Sequence, residues 1–145
     1  MNYNLNRFIL AQDSNDTYKR VIQELSNGKK ESHWMWYIFP QLKGLGRSSV
    51  AQTYAISSLD EAKNYLEHPV LGSRLVECCR ILLELKNRSA HEIFGTTDTM
   101  KLRSSMTLFA LTSENPIFRQ VILFYFDGNE DVLTKKIIHG TDLCS

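Results

Sequence analysis

The sequence has almost no imbalance of charge: 17 Lys and Arg against 16 Asp and Glu leave a formal net charge of +1. A nucleic-acid-binding face needs a marked basic excess, so nucleic acid is not an expected partner. The short pairs Lys29-Lys30 and Lys135-Lys136 do not supply that excess and read as solvated surface. No apolar run approaches the ~20 residues that span a bilayer, which excludes a membrane-spanning helix. Cysteine is scarce, with three residues at Cys78, Cys79 and Cys144. No Cys-x-x-Cys or His-Glu-x-x-His spacing occurs, so neither a structural zinc site nor another metal centre is expected. The odd count, the adjacency of Cys78 and Cys79, and a polar, Asn-rich start from Met1 to Asn6 together predict unbridged thiols in a cytoplasmic protein. Sustained period-2 alternation is also missing, and with it the mark of a half-buried sheet.

What is present is an ordinary globular balance. Hydrophobic residues make up 43% and charged residues 23% of 145 residues, enough for one folded domain and too apolar for disorder. Glycine and proline fall where helices should start and stop. Tyr18, Val21, Ile22 and Leu25 form one helical stripe that Gly28 ends. Ser58 to Glu61 spells a capping box ahead of Ala62, Tyr65 and Leu66, and Pro69 suits a helix start. His68 before it reads as a capping residue. Leu71, Leu75, Cys78, Leu82 and Leu85 step by four and three residues as an apolar seam. Ser89 to Glu92 is a second capping box, ended by Gly95. A helix over Asp98 to Leu111 turns Leu102, Met106 and Phe109 inward. Pro116 opens another that closes at Gly128, and Asp131 can cap a last one carrying Leu133, Ile137 and Ile138. The expected architecture is all-α: a single compact domain of six or seven helices with short connections and little or no strand. Its core runs over about 6–138, with 139–145 as a frayed tail. The ambiguous stretch is Trp34 to Phe39, aromatic enough for a strand but with nothing to pair with.

That stretch belongs to the most unusual segment, His33-Trp34-Met35-Trp36-Tyr37-Ile38-Phe39-Pro40-Gln41. Its aromatics either fill the core or leave a face of Trp34, Trp36 or Tyr37 to stack a planar ligand. In the following loop, Gly44 and Gly46 allow backbone amides to approach a ligand. Ser48 and Ser49 stand at the start of a helix with Arg47 beside them, where amides and a cation form a phosphate cradle. The plainer account is a tight turn with a serine cap. The third glycine of a dinucleotide-binding fingerprint is absent, and no cofactor is expected. A second constellation is Asp98, Lys101, Ser104 and Ser105 on neighbouring faces of one helix. Lys101 would activate Ser105 or hold an anion while Asp98 orients water, unless Asp98 and Lys101 are simply a surface pair. His33, beside the aromatic run, is the candidate for proton transfer near neutral pH, as an alternative to a structural role.

The runs His33 to Gln41, Gly44-Leu45-Gly46-Arg47-Ser48, Tyr54 to Leu59, His68 to Gly72, Ile93-Phe94-Gly95 and Lys101 to Phe109 closely resemble a bacterial domain-of-unknown-function family whose members are sometimes labelled calpastatin. The resemblance covers about Arg7 to Asp131. It departs at Tyr37, where the family pattern has Phe, and after Ser113. It implies a mainly helical fold and assigns no catalytic residue. The calpastatin label does not transfer, because calpastatins are disordered inhibitors and this composition is that of a packed domain. The order Phe94-Gly95, Asp98 and a polar helix is also similar to a family proposed to process ADP-ribose and related nucleotides. The expected function is therefore a site for a phosphorylated, nucleotide-like small molecule of the ADP-ribose kind, with hydrolysis as the reaction class. The alternative is a non-catalytic module that binds a protein partner through an aromatic groove. One concavity holding Trp36, Arg47 and Lys101 together would favour the first.

Overall fold

The computed structural model describes residues 3–143. Among these, nine α-helices follow one another: α1 Asn6–Asp13, α2 Thr17–Ser26, α3 Met35–Ile38, α4 Ser49–Thr53, α5 Leu59–Glu67, α6 Leu71–Glu84, α7 Ala90–Thr112, α8 Ile117–Phe126 and α9 Val132–Leu143. The class is all-α, as the periodicity requires. The helices outnumber the six or seven expected because α3 and α4 are single turns of four and five residues. Helix α1 also lacks a clear apolar stripe, burying only Phe8 and Gln12. The Trp34–Phe39 stretch is not a strand: Met35 to Ile38 close one helical turn, with the Phe39 amide donating to the Met35 carbonyl at 3.0 Å. Strand-type pairing among the described residues is limited to one parallel bridge, Leu42 with Ile56.

The caps act largely where the sequence places them. Ser89 and Glu92 complete a reciprocal capping box at the start of α7. Ser58 accepts from the Glu61 amide at 3.1 Å, but the Glu61 carboxylate turns instead to the amide and hydroxyl of Ser57, both at 2.8 Å. Arg7 explains the difference: its guanidinium holds Oε2 of Glu61 at 2.9 Å and draws the carboxylate toward α1. His68 caps α6, its Nδ1 accepting from the Val70 and Leu71 amides at 3.1 and 3.3 Å. Asp131 caps α9 through the Thr134 amide at 3.0 Å.

Helix α7 is the centre of the domain, packed against α5, α8 and α9. It is broken at Gly95, whose φ of 78° and ψ of 176° lie outside the helical region and suit a residue without a side chain. Beyond the break every residue from Ser104 to Ala110 is buried, so the helix has no solvated face there. Aromatic rings link the layers: Tyr37 to Tyr54, Tyr54 to Phe8, Phe8 to Tyr65, Tyr65 to Phe109 and Phe109 to Phe118, with centroids 5.0–5.8 Å apart. Each such pair adds about 0.5–1.5 kcal/mol to the burial of its area. The Leu71, Leu75, Cys78 and Leu82 seam is buried as expected.

Candidate functional site

The loop after the aromatic run folds back over α4. A Cβ on Gly46 would stand 2.5 Å from the Ala51 Cβ, closer than any side chain tolerates, so the turn requires glycine. Of the two serines at the start of α4, Ser48 is the cap, accepting from the Ala51 amide at 3.1 Å. The Gln52 side-chain amide donates to the Arg47 carbonyl at 2.8 Å. The Ile56 amide donates to Gln41 O at 2.9 Å, and the Lys43 amide donates to Ile56 O at 2.8 Å. From α1, Arg7 donates to the carbonyls of Thr53 and Ala55 at 2.8 and 2.9 Å, fixing the opposite wall.

Between these walls lies a cleft of about 450 Å³ lined by Lys43, Gly44, Gly46, Arg47, Gln52 and Ala55. Its lining carries two cations and an amide, and no carboxylate. Of the residues expected at a cradle, Gly44, Gly46 and Arg47 line it; Ser49 is exposed outside it, its backbone carbonyl accepting from Thr53. Lys43 and Gln52 were not legible as lining residues, because nothing in a single exposed Lys or Gln marks which side of a turn it takes.

The aromatic residues divide. Trp34 is enclosed at 1% exposure, its indole N–H donating to Glu24 at 2.9 Å and the Lys30 ammonium standing 5.0 Å from its ring centroid. It therefore offers no face to a ligand, and the core-filling reading of it holds. Glu24 is buried too. Burial alone would raise its pKa, but the Ser32 hydroxyl, the Ser32 and Glu31 amides and the Trp34 indole all donate to it and hold the carboxyl at about 2. Trp36 is half-buried, with the Lys101 ammonium 5.1 Å from its ring centroid. Lys101 reaches Asp98 at 3.6 Å, but the closer partner of Asp98 is the nearly enclosed Lys30, at 2.8 Å. Lys30 also donates to the Ser32 carbonyl at 2.5 Å, and its backbone amide to Ile93 at 2.8 Å. Asp98 thus anchors the 30–34 loop to α7. His33 is exposed, its carbonyl accepting from the Tyr37 hydroxyl at 3.4 Å.

Ser104 and Ser105 do not border a cavity, as their grouping had suggested, because α7 is enclosed on all sides here. The Ser104 hydroxyl engages Met100 O and Asp131 Oδ2, both at 3.1 Å, while the fully buried Ser105 hydroxyl has no hydrogen-bond partner among the described residues. Six of the expected residues therefore fall in two places, Trp36, Asp98 and Lys101 at the α7 break and Gly44, Gly46 and Arg47 at the cleft, while His33, Trp34, Ser49 and Ser105 join neither. That cleft contains neither Trp36 nor Lys101. Cys78 and Cys79 are unbridged and buried, and burial pushes the Cys78 thiol up to about 12. Cys144 lies outside the described residues. Among the described residues there is no group of three or more His, Cys, Asp or Glu able to hold a metal ion, and no helix is long and apolar enough to cross a membrane.

Comparison with known proteins places this geometry in a family without assigned chemistry. The family model described as "Protein of unknown function (DUF1810)" matches residues 2–138. The crystal structure of the conserved hypothetical protein Rv1873 from Mycobacterium tuberculosis is similar with a TM-score of 0.91 and 46% identity, over 94% of this chain and 96% of that one. No curated protein matches the chain.

Proposed function

We propose, for a chain that belongs to the DUF1810 family of proteins of unknown function, a binding site for a phosphorylated, nucleotide-like small molecule at the Lys43–Arg47 loop. The observation that carries this reading is the sign of the cleft: Lys43 and Arg47 line it with the Gln52 amide, and no carboxylate opposes them. An Arg guanidinium matches two phosphate oxygens at once, and Lys adds a compact point charge. The volume of about 450 Å³ lies in the range of about 300–1,000 Å³ typical of small-molecule sites. The lining offers no carboxylate or histidine as a general base, so the reading is recognition rather than hydrolysis. Titration calorimetry with inorganic phosphate, AMP and ADP-ribose tests it. Arg47→Ala, an exposed loop position, should weaken the ligand that binds by about 1.5–3 kcal/mol without altering the fold. Equal affinity in the variant would end this reading.

A second reading, a protein-interaction module, draws on a different surface from the aromatic run. Leu123 and Phe124 of α8 are 66% and 53% exposed, and Val132 and Leu133 of α9 are 63% and 53% exposed. Apolar residues flanking one turn are a surface a second copy of the chain would cover. Sedimentation equilibrium decides: association abolished by Leu123→Asp supports it, and a monomer at every concentration removes it.

A further inference from the structure

The anion cleft has a neighbour of opposite character. A second cleft of about 410 Å³ lies between α9 and the start of α5, with Leu42, Ile137 and Ile138 as its aliphatic surface and Ser57 and Asp60 at its polar edge. The two flank the single Leu42–Ile56 bridge: Lys43 and Ala55 line the first, Leu42 and Ser57 the second. Gly44, in the lining of the first, lies on the side toward the second. A Cβ built there would stand 3.7 Å from Ile137 Cδ1, so Ile137 of the second cleft is a near neighbour of Gly44 in the first.

The hydrogen-bonding capacity of the two is complementary. The first presents donors, the Lys43 ammonium, the Arg47 guanidinium and the Gln52 amide. The second presents acceptors. Asp60 Oδ2 takes one bond from the Tyr3 hydroxyl at 2.8 Å, leaving Oδ1 without a donor among the described residues. The Ser57 hydroxyl spends its proton on Glu61 at 2.8 Å and keeps its lone pairs. A phosphate placed beside Asp60 would be repelled, and sugar hydroxyls placed among Lys43 and Arg47 would leave both charges unanswered. Only one orientation of an asymmetric ligand satisfies both sides.

We propose that the two clefts form one site for a nucleoside monophosphate, with the phosphate at Lys43 and Arg47 and the nucleoside in the cleft of Leu42, Asp60 and Ile137. This deepens the phosphate reading and rests on it. The ribose hydroxyls donate to Asp60 and Ser57, and the base lies against Ile137 and Ile138.

Calorimetry on the whole protein separates the two layers of the argument, using inorganic phosphate, ribose 5-phosphate and the four ribonucleoside 5′-monophosphates. At least one nucleotide should bind tenfold or more tightly than both inorganic phosphate and ribose 5-phosphate. Ile137→Ala and Asp60→Asn, both at exposed positions, should weaken that nucleotide about fivefold each and leave phosphate affinity unchanged. Arg47→Ala should weaken phosphate and nucleotide alike. Nucleotides binding no better than phosphate, with phosphate still dependent on Arg47, would overturn the two-part site and leave the anion cleft standing. Ribose 5-phosphate matching the nucleotides would overturn the nucleoside assignment in favour of a phosphosugar. Binding of neither phosphate nor nucleotide would remove both readings.

Discussion

The indole N–H of Trp34 donates to Oε1 of Glu24 across 2.9 Å, and the same carboxylate gathers the amides of Glu31 and Ser32 at 2.7 and 2.9 Å. A charged side chain of α2 thereby organises the loop that leads into the aromatic run. Four donors on one buried carboxylate compensate for its removal from water, which a lone charge there would not survive.

Glu24→Gln should destabilise the domain by about 2–3 kcal/mol, since the charge is lost and a donor replaces one acceptor oxygen. The effect should depend on pH. The folded carboxyl sits at about 2, below its ordinary 4.5, so its contribution is complete above 4.5 and disappears as pH falls toward 2. Melting temperatures of parent and variant should therefore converge between these two values on acidification. Curves that stay parallel through that window would contradict the assignment.

Asp98 and Lys101 should behave unequally. Asp98→Asn strips the nearly enclosed Lys30 of its 2.8 Å partner and should cost about 3 kcal/mol. Lys101→Met removes a partly exposed ammonium held 3.6 Å from the same carboxylate and should cost less than about 1 kcal/mol. Urea titrations of both variants measure the contrast, and equal losses would show that Lys30 does not depend on Asp98.

Gly46→Ala should destabilise the protein by about 1–3 kcal/mol, because the new methyl group collides with Ala51 and the loop must move. Phosphate affinity should fall with it, since Arg47 is the next residue. Thermal melts alongside calorimetry would show both effects, and a variant that melts and binds like the parent would place the loop elsewhere.

The thiols of Cys78 and Cys79 should be inert in the folded protein, both being buried and Cys78 held at about 12. In a Cys144→Ser background, a disulfide-exchange reagent should label no thiol rapidly before denaturation and two afterwards. Rapid labelling of the folded chain would place one of them at the surface.

Local chemistry made much of the fold legible. The Ser89 and Glu92 box, the Asp131 cap and the leucine seam of α6 each depend on residues within a few positions of one another. Helix α1 escaped because its buried pair, Phe8 and Gln12, includes a polar residue whose partners, the Tyr37 carbonyl and the Tyr65 hydroxyl, are far along the chain. Distance in sequence also hid the site's supports. Nothing near Arg7 announces that it will hold the carbonyls of Thr53 and Ala55, and nothing near Lys30 points to Asp98. Of the expected ligand residues, Gly44, Gly46 and Arg47 fell together because a short loop carries all three. Trp36 and Lys101 met each other rather than that loop, a pairing between distant parts of the chain that no local pattern announces.

The lone bridge between Leu42 and Ile56 has a consequence for motion. Two backbone hydrogen bonds, Ile56 to Gln41 and Lys43 to Ile56, join the segments on which the two clefts are built. At about 0.5–1.5 kcal/mol each, they add to the burial of Leu42 and Ile56 in holding the two segments together. A molecule lying across the bridge would hold it shut from both sides. The amide protons of Lys43 and Ile56 should then exchange with solvent together in the free protein and slow together when the site is filled, while those deep in α7 keep their rate.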